Sequence, residues 1–136
     1  MYSLAHCEQC SGGHNILGVK MVLCLNLSPH FKVWLESEDT KFVLGEGTAR
    51  LLQAIKKEGS LSGAASQLGI SYAHAWRKIR NIEKNFGKKV VERKRGGKKG
   101  GSSVLTEDGE YLLQFYETLK NRVDTTLKEW KVDMTQ

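Results

Sequence analysis

The sequence predicts a mainly α-helical domain with a small amount of β structure. A helix-turn-helix is preceded by one β-hairpin and followed by a second hairpin and a long C-terminal helix. Three observations predict it. Hydrophobic spacing switches between periods of 2 and 3.6 residues in the order β-β-α-α-α-β-loop-β-α. Two helical patterns meet at a tight turn on Gly69. Positive charge gathers on the helix after that turn and on the glycine-rich loop beyond it.

Each element has its own signal. Phe31, Val33 and Leu35 alternate with Lys32, Trp34 and Glu36, which is strand periodicity. The polar stretch 36–40 turns the chain, and Lys41-Phe42-Val43-Leu44 returns it as the second strand of a hairpin. Leu51, Leu52 and Ile55 place a helix over Ala49–Lys57, stopped by Gly59. Ser60 or Ser62 caps the next helix, which carries Ala64, Ala65 and Leu68 and ends at Gly69. Ser71 caps a third helix running to Phe86, with Gly87 as its stop. Val90–Arg93 and Val104–Leu105 are strands around a loop, Lys94–Ser103, that holds four glycines and four cations. Thr106 caps the last helix, whose first turn holds Glu107, Asp108 and Glu110, as the helix dipole favours.

Composition bounds the function. The 136 residues suit one domain, and 40% apolar with 26% charged residues is ordinary for a soluble globular chain. Net charge is +6, but its distribution matters more. Residues 1–40 carry two basic and four acidic side chains, residues 41–105 fifteen and four, and residues 106–136 four and seven. A segment at +11 between two acidic ones points to an acidic partner, nucleic acid first. The longest apolar stretch, Ile16–Leu27, is broken by Gly18, Lys20 and Asn26 and falls short of the ~20 residues that span a bilayer. No membrane partner is expected. The N-terminus has no early basic region or cleavage pattern, and the three cysteines are an odd number. A reducing, cytoplasmic setting is the expectation.

The third helix divides cleanly by angle at 100° per residue. Tyr72, Ala75, Trp76, Ile79, Ile82 and Phe86 form one apolar face. His74, Arg77, Asn81 and Lys84 lie opposite, with Ala73, Lys78 and Arg80 on the flanks. A helix buried on one side and polar-basic on the other suits the major groove of DNA. Arg77 is the leading base reader, because a guanidinium bonds guanine O6 and N7 together. His74 is a donor near the same site. Ser71 and Tyr72 place hydroxyls for phosphate, although the angle of Tyr72 also makes it a core residue with a polar tip. Lys78 and Arg80 fit phosphate better than bases, and Ser62 belongs to the same surface. Lys84 lies far along the helix. Arg93, Lys94, Arg95, Lys98 and Lys99 put five cations into seven positions of the following hairpin. Its glycines let backbone approach a phosphate or a minor groove.

A strand–loop–strand in this place is the wing of a winged helix-turn-helix. Gly59-Ser60-Leu61-Ser62, Ala64-Ala65, Leu68, Ile79, Ile82-Glu83, Gly87 and Leu105-Thr106-x-x-Gly109 resemble the winged helix of LysR-type regulators. The finer text, Ile70-Ser71-Tyr72-Ala73-His74-Ala75-Trp76, Val91-Glu92-Arg93, Gly96-Gly97-Lys98-Lys99-Gly100-Gly101 and Leu105-Thr106, resembles the N-terminal DNA-binding domain of the molybdate-responsive ModE regulators. The resemblance covers about Ser28 to Leu119. It implies a dimeric transcription regulator that binds operator DNA. Members of that family also carry C-terminal molybdate-binding domains. This chain ends at Gln136, so the expectation is a stand-alone DNA-binding member with no oxyanion pocket to carry over and no assigned effector.

The domains expected are an extension over 1–27, the winged helix-turn-helix over 28–106 and a dimerisation helix over 107–136. Leu112, Tyr116, Leu119, Val123, Thr126 and Trp130 step by four and three, and Phe115 and Leu127 widen the stripe. Packing on its own domain explains the first half; beyond Leu119 a partner helix is expected. The named interface is Leu112, Phe115, Tyr116, Leu119, Val123, Leu127 and Trp130. Cys7-x2-Cys10 with His14 and Cys24 has zinc-ligand types, but one such pair is half a structural site, so no metal or other cofactor is assigned. No nucleophile–base pair, phosphate loop or paired carboxylates support an enzyme. The competing reading is a metal- or partner-responsive adaptor that uses the winged helix to bind protein.

Overall fold

The structure is a computed structural model and describes residues 30–96 and 101–135. The elements are β1 (Trp34–Glu36), β2 (Phe42–Gly45), α1 (Glu46–Glu58), α2 (Leu61–Gln67), α3 (Tyr72–Phe86), β3 (Val91–Lys94), β4 (Ser102–Leu105) and α4 (Glu107–Thr135). Both strand pairs are antiparallel, with Leu35 opposite Leu44 in the first and Arg93 opposite Ser103 in the second. The order is the one expected, with a helix-turn-helix followed by a wing. Residues Lys32–Asp124 form one compact unit; the last turns of α4, from Thr125, fall in a second.

Local chemistry places the helix ends. Ser60, not Ser62, caps α2, its Oγ accepting from the Gly63 N–H at 3.0 Å, while Ser62 stays exposed. Gly69 sits at φ +65°, so the chain turns sharply there without a Cβ clash, and the Ile70 N–H returns to the Ala65 carbonyl at 3.0 Å. Ser71 caps α3 by accepting from the His74 N–H at 3.2 Å. Removing that hydroxyl with Ser71→Ala should cost about 1 kcal/mol of stability, measurable by denaturant unfolding with unchanged m-value.

Helix α1 starts at Glu46, three residues before the expected Ala49. The residue before it is glycine and offers no side-chain cap. The Thr48 hydroxyl substitutes, accepting from the Gly45 N–H at 3.0 Å and donating to the Gly45 carbonyl at 3.1 Å. Lys120 and, after it, Arg50 hold the exposed Glu46 carboxyl below the usual carboxylate range. The observed strands also run about one residue later than expected in β2 and β3, and β4 begins at Ser102.

The core draws on both hairpins and all four helices. Leu44, Leu51, Leu52, Ile55, Leu61, Ile79, Ile82 and Val90 are fully buried at its centre. Two expectations change here. Tyr72 is not a core residue: it is 46% exposed, because the first turn of α3 projects past the packed face. Leu112 and Tyr116, assigned to a dimer contact, are 6% and 2% exposed and belong to the chain's own core with Leu113. The Tyr116 hydroxyl donates to the Val33 carbonyl at 3.2 Å, and burial pushes the phenol's pKa up. The rest of the stripe differs: Phe115 is exposed, Leu119, Val123 and Leu127 are half-buried, and Trp130 is exposed.

Candidate nucleic-acid interface

The outer face of α3 follows from its apolar face. Burial of Ala75, Ile79 and Ile82 turns Ala73, Arg77, Arg80 and Asn81 to solvent, with His74 and Lys78 half-buried beside them. Arg77 Nη2 lies 2.9 Å from His74 Nδ1. A guanidinium only donates, so Nδ1 accepts, and the proton of the neutral imidazole sits on Nε2. His74 thereby orients the Arg77 fork. The Lys78 ammonium lies over the first turn of α1, 3.6 Å from where a Cβ on Gly47 would be. Ser71 is exposed but its Oγ is occupied by the cap.

The wing is bolted to this helix from its base. Glu83 Oε1 on α3 accepts from the Val90 N–H at 3.0 Å and the Val91 N–H at 3.3 Å. The Ser103 N–H donates to the Gly59 carbonyl at 2.9 Å, tying β4 to the end of α1. Thr106 donates through Oγ1 to the Lys89 carbonyl at 2.6 Å and through its N–H to the Val90 carbonyl at 3.0 Å. Lys94 and Arg95 project into solvent at the far end of β3. Lys98 and Lys99 lie outside the described residues, as do Cys7, Cys10, His14 and Cys24. Among the described residues, no group of three or more His, Cys, Asp or Glu is placed to hold a metal. No described helix is long and apolar enough to cross a membrane.

Arg93 is placed differently from its neighbours. Its guanidinium carbon is 4.1 Å from the Trp76 ring centroid and 5.6 Å from that of Tyr72, and it donates to the Tyr72 hydroxyl. Arg80 stands 5.4 Å from the same indole. In the sequence Trp76 reads only as part of the apolar face, and Glu83 stands only within the LysR-type motif, with no contact assigned to it. The four-residue steps from Tyr72 to Trp76 to Arg80 were the available signal for the first; nothing local signals the second.

Residues 48–110 match the family described as bacterial regulatory helix-turn-helix protein, lysR family. The match spans just under half of the chain. The lysR-type segment thus runs from the first turn of α1 through the wing to the first turn of α4. Curated relatives align over a similar stretch. The chain is 44% identical over 69 residues to the DNA-binding transcriptional dual regulator ModE of Escherichia coli K12, an alignment covering 51% of this chain and 26% of that protein. It is 40% identical over 82 residues to the transcriptional regulator ModE of Yersinia pestis, covering 58% and 31%. It is 33% identical over 84 residues to the molybdenum-pterin-binding protein MopA of Rhodobacter capsulatus, covering 62% and 32%. The chain therefore spans about a third or less of these relatives. Among solved structures, the complex of the BenM DNA-binding domain with benA site 1 DNA aligns with TM-score 0.48 at 27% identity, covering 62% of this chain and 90% of that one.

Proposed function

We propose that the chain is a sequence-specific, non-enzymatic transcription regulator that binds double-stranded DNA in the cytoplasm as a homodimer. Helix α3 enters the major groove, and the wing lies along the flanking phosphates. The observation that carries this reading is the outward fork of Arg77, oriented by His74, on a capped helix whose wing presents further cations beside it. The lysR-type segment and the DNA-binding regulator among the relatives support it.

In this reading Arg77, with Asn81 and His74, faces base edges. Ala73 makes close apolar contact. Ser62, Ser71, Tyr72, Lys78 and Arg80 line the phosphate approach, and Lys94, Arg95, Lys98 and Lys99 extend it along the wing. The homodimer uses the exposed part of the last helix. Tyr111, Gln114, Phe115, Thr118, Leu119 and Arg122 line a groove of about 440 Å³, and Phe115 is 51% exposed. A twofold pair sets two copies of α3 on half-sites one DNA turn apart.

Selection of bound duplexes from a random library tests the reading, and recovery of no preferred sequence overturns it. On the selected site, Arg77→Ala should lose about 1–3 kcal/mol of discrimination against a changed base pair, while binding to unrelated duplex changes little. Equal losses on both would make Arg77 a phosphate contact instead.

A further inference from the structure

We infer that Arg93 is a positioning residue, which holds the wing against the recognition helix rather than touching DNA. The inference rests on the DNA-binding reading above and refines it. Five wing cations look alike in sequence, but Arg93 is the described one whose charge is already engaged. Its guanidinium stacks on Trp76 at 4.1 Å and on Tyr72 at 5.6 Å, and one of its N–H groups is given to the Tyr72 hydroxyl. Both aromatic residues sit in the first two turns of α3, the end that would enter the groove.

The placement has a mechanical consequence. At its base the wing is held by the Glu83 carboxylate on Val90 and Val91 and by the ladder with β4. Arg93 adds a contact further out, two residues beyond the last of the Glu83 bonds, to the opposite end of α3. The strand is thus attached to the helix at two separated points, which fixes its angle. Lys94 and Arg95, both exposed, then project from a strand of set direction. Tyr72 gains as well. It is 46% exposed, and with its oxygen accepting from Arg93 its own O–H remains a donor for a phosphate.

Lysine cannot replace arginine in this role. Its ammonium keeps the charge but has neither the planar face that stacks on indole nor the fork that reaches a hydroxyl at the same time. A phosphate contact, by contrast, is a matter of charge, and lysine serves it well.

The experiment compares wild type, Arg93→Lys and Arg93→Ala in two measurements on the full chain. The first is affinity for the selected duplex over a range of salt. Both variants should bind roughly three- to thirtyfold more weakly, the scale of a lost cation–π contact, with the slope of log K against log salt unchanged. Wild-type affinity in Arg93→Lys, or a slope flattened by about one in Arg93→Ala, would overturn the inference by making Arg93 a phosphate contact. The second is hydrogen exchange of the β3 amides without DNA, which should quicken in both variants. Unchanged protection in Arg93→Lys overturns the clamp whether or not DNA binds. Failure of wild type to bind any duplex overturns the function proposed above and leaves this second measurement to decide the clamp.

Discussion

Gly109→Ala should destabilise the fold by about 3 kcal/mol, at the upper end of what an overpacked methyl costs. The sign is the informative part. Gly109 lies in the third position of α4, and propensity alone makes alanine the better helix residue by about 1 kcal/mol. Packing reverses this. A Cβ at Gly109 would stand 2.3 Å from the Val90 carbonyl oxygen and 3.0 Å from its carbon, and both atoms are backbone. They cannot rotate away as a side chain could. The same carbonyl accepts the Thr106 N–H at 3.0 Å, so any shift also strains the start of α4. Gly87→Ala is the control. Gly87 has φ +78° but no atom within 4 Å of the added Cβ, so only backbone strain of about 1 kcal/mol applies. Urea unfolding of the two variants should rank Gly109→Ala well below Gly87→Ala. An equal or stabilising Gly109→Ala would mean that the approach of α4 to Val90 is looser than the geometry indicates. Because Val90 begins the wing, the loss should also appear as faster hydrogen exchange at the base of β3.

That glycine stood in the sequence as part of Leu105-Thr106-x-x-Gly109, yet its reason did not. What was legible was local. Ser71 and Gly87 bracket α3 because capping chemistry acts over three or four residues, and the outward set of Arg77, Arg80 and Asn81 follows from helix phase alone. What was not legible depended on distant partners. The stripe through Leu112, Tyr116 and Trp130 has one spacing, but periodicity does not say which surface covers it. The chain's own core takes Leu112 and Tyr116, and leaves Phe115 and Trp130 exposed. Tyr72 lies in phase with Ile79, but phase says nothing of where the packed face ends. Arg93 finds Tyr72 across 21 residues and Glu83 finds Val90 across seven, distances at which spacing carries no message. The early start of α1 was hidden for a different reason: a glycine preceded it, and the capping hydroxyl came from Thr48 inside the helix.

Duplex affinity should fall by about three orders of magnitude for each protomer bound between 50 and 200 mM salt, the largest effect expected for this chain. Each neutralised phosphate contributes about −0.9 to the slope of log K against log salt, and roughly six contacts per protomer give that loss. The contacts come from two places. Lys94 and Arg95 are exposed wing cations, and Lys98 and Lys99 follow in the sequence. Lys78 and Arg80 flank the reading face of α3. Two nearby carboxylates are already engaged, Glu83 with the Val90 and Val91 amides and Glu46 with Lys120 and Arg50, which leaves Glu92 as the exposed acidic side chain of β3. Replacing Lys94, Arg95, Lys98 and Lys99 together by glutamine should remove most of four contacts and bring the slope down by roughly three to four for each protomer bound. Binding to selected and unrelated duplexes should weaken alike, since phosphate contacts position the protein and carry no sequence information. Stability should hardly move, because exposed cations contribute little to folding. Fluorescence anisotropy at four or five salt concentrations gives both slopes. A wild-type slope near zero would remove the wing from the interface, and a quadruple variant that loses base preference while keeping the slope would exchange the parts given to wing and helix.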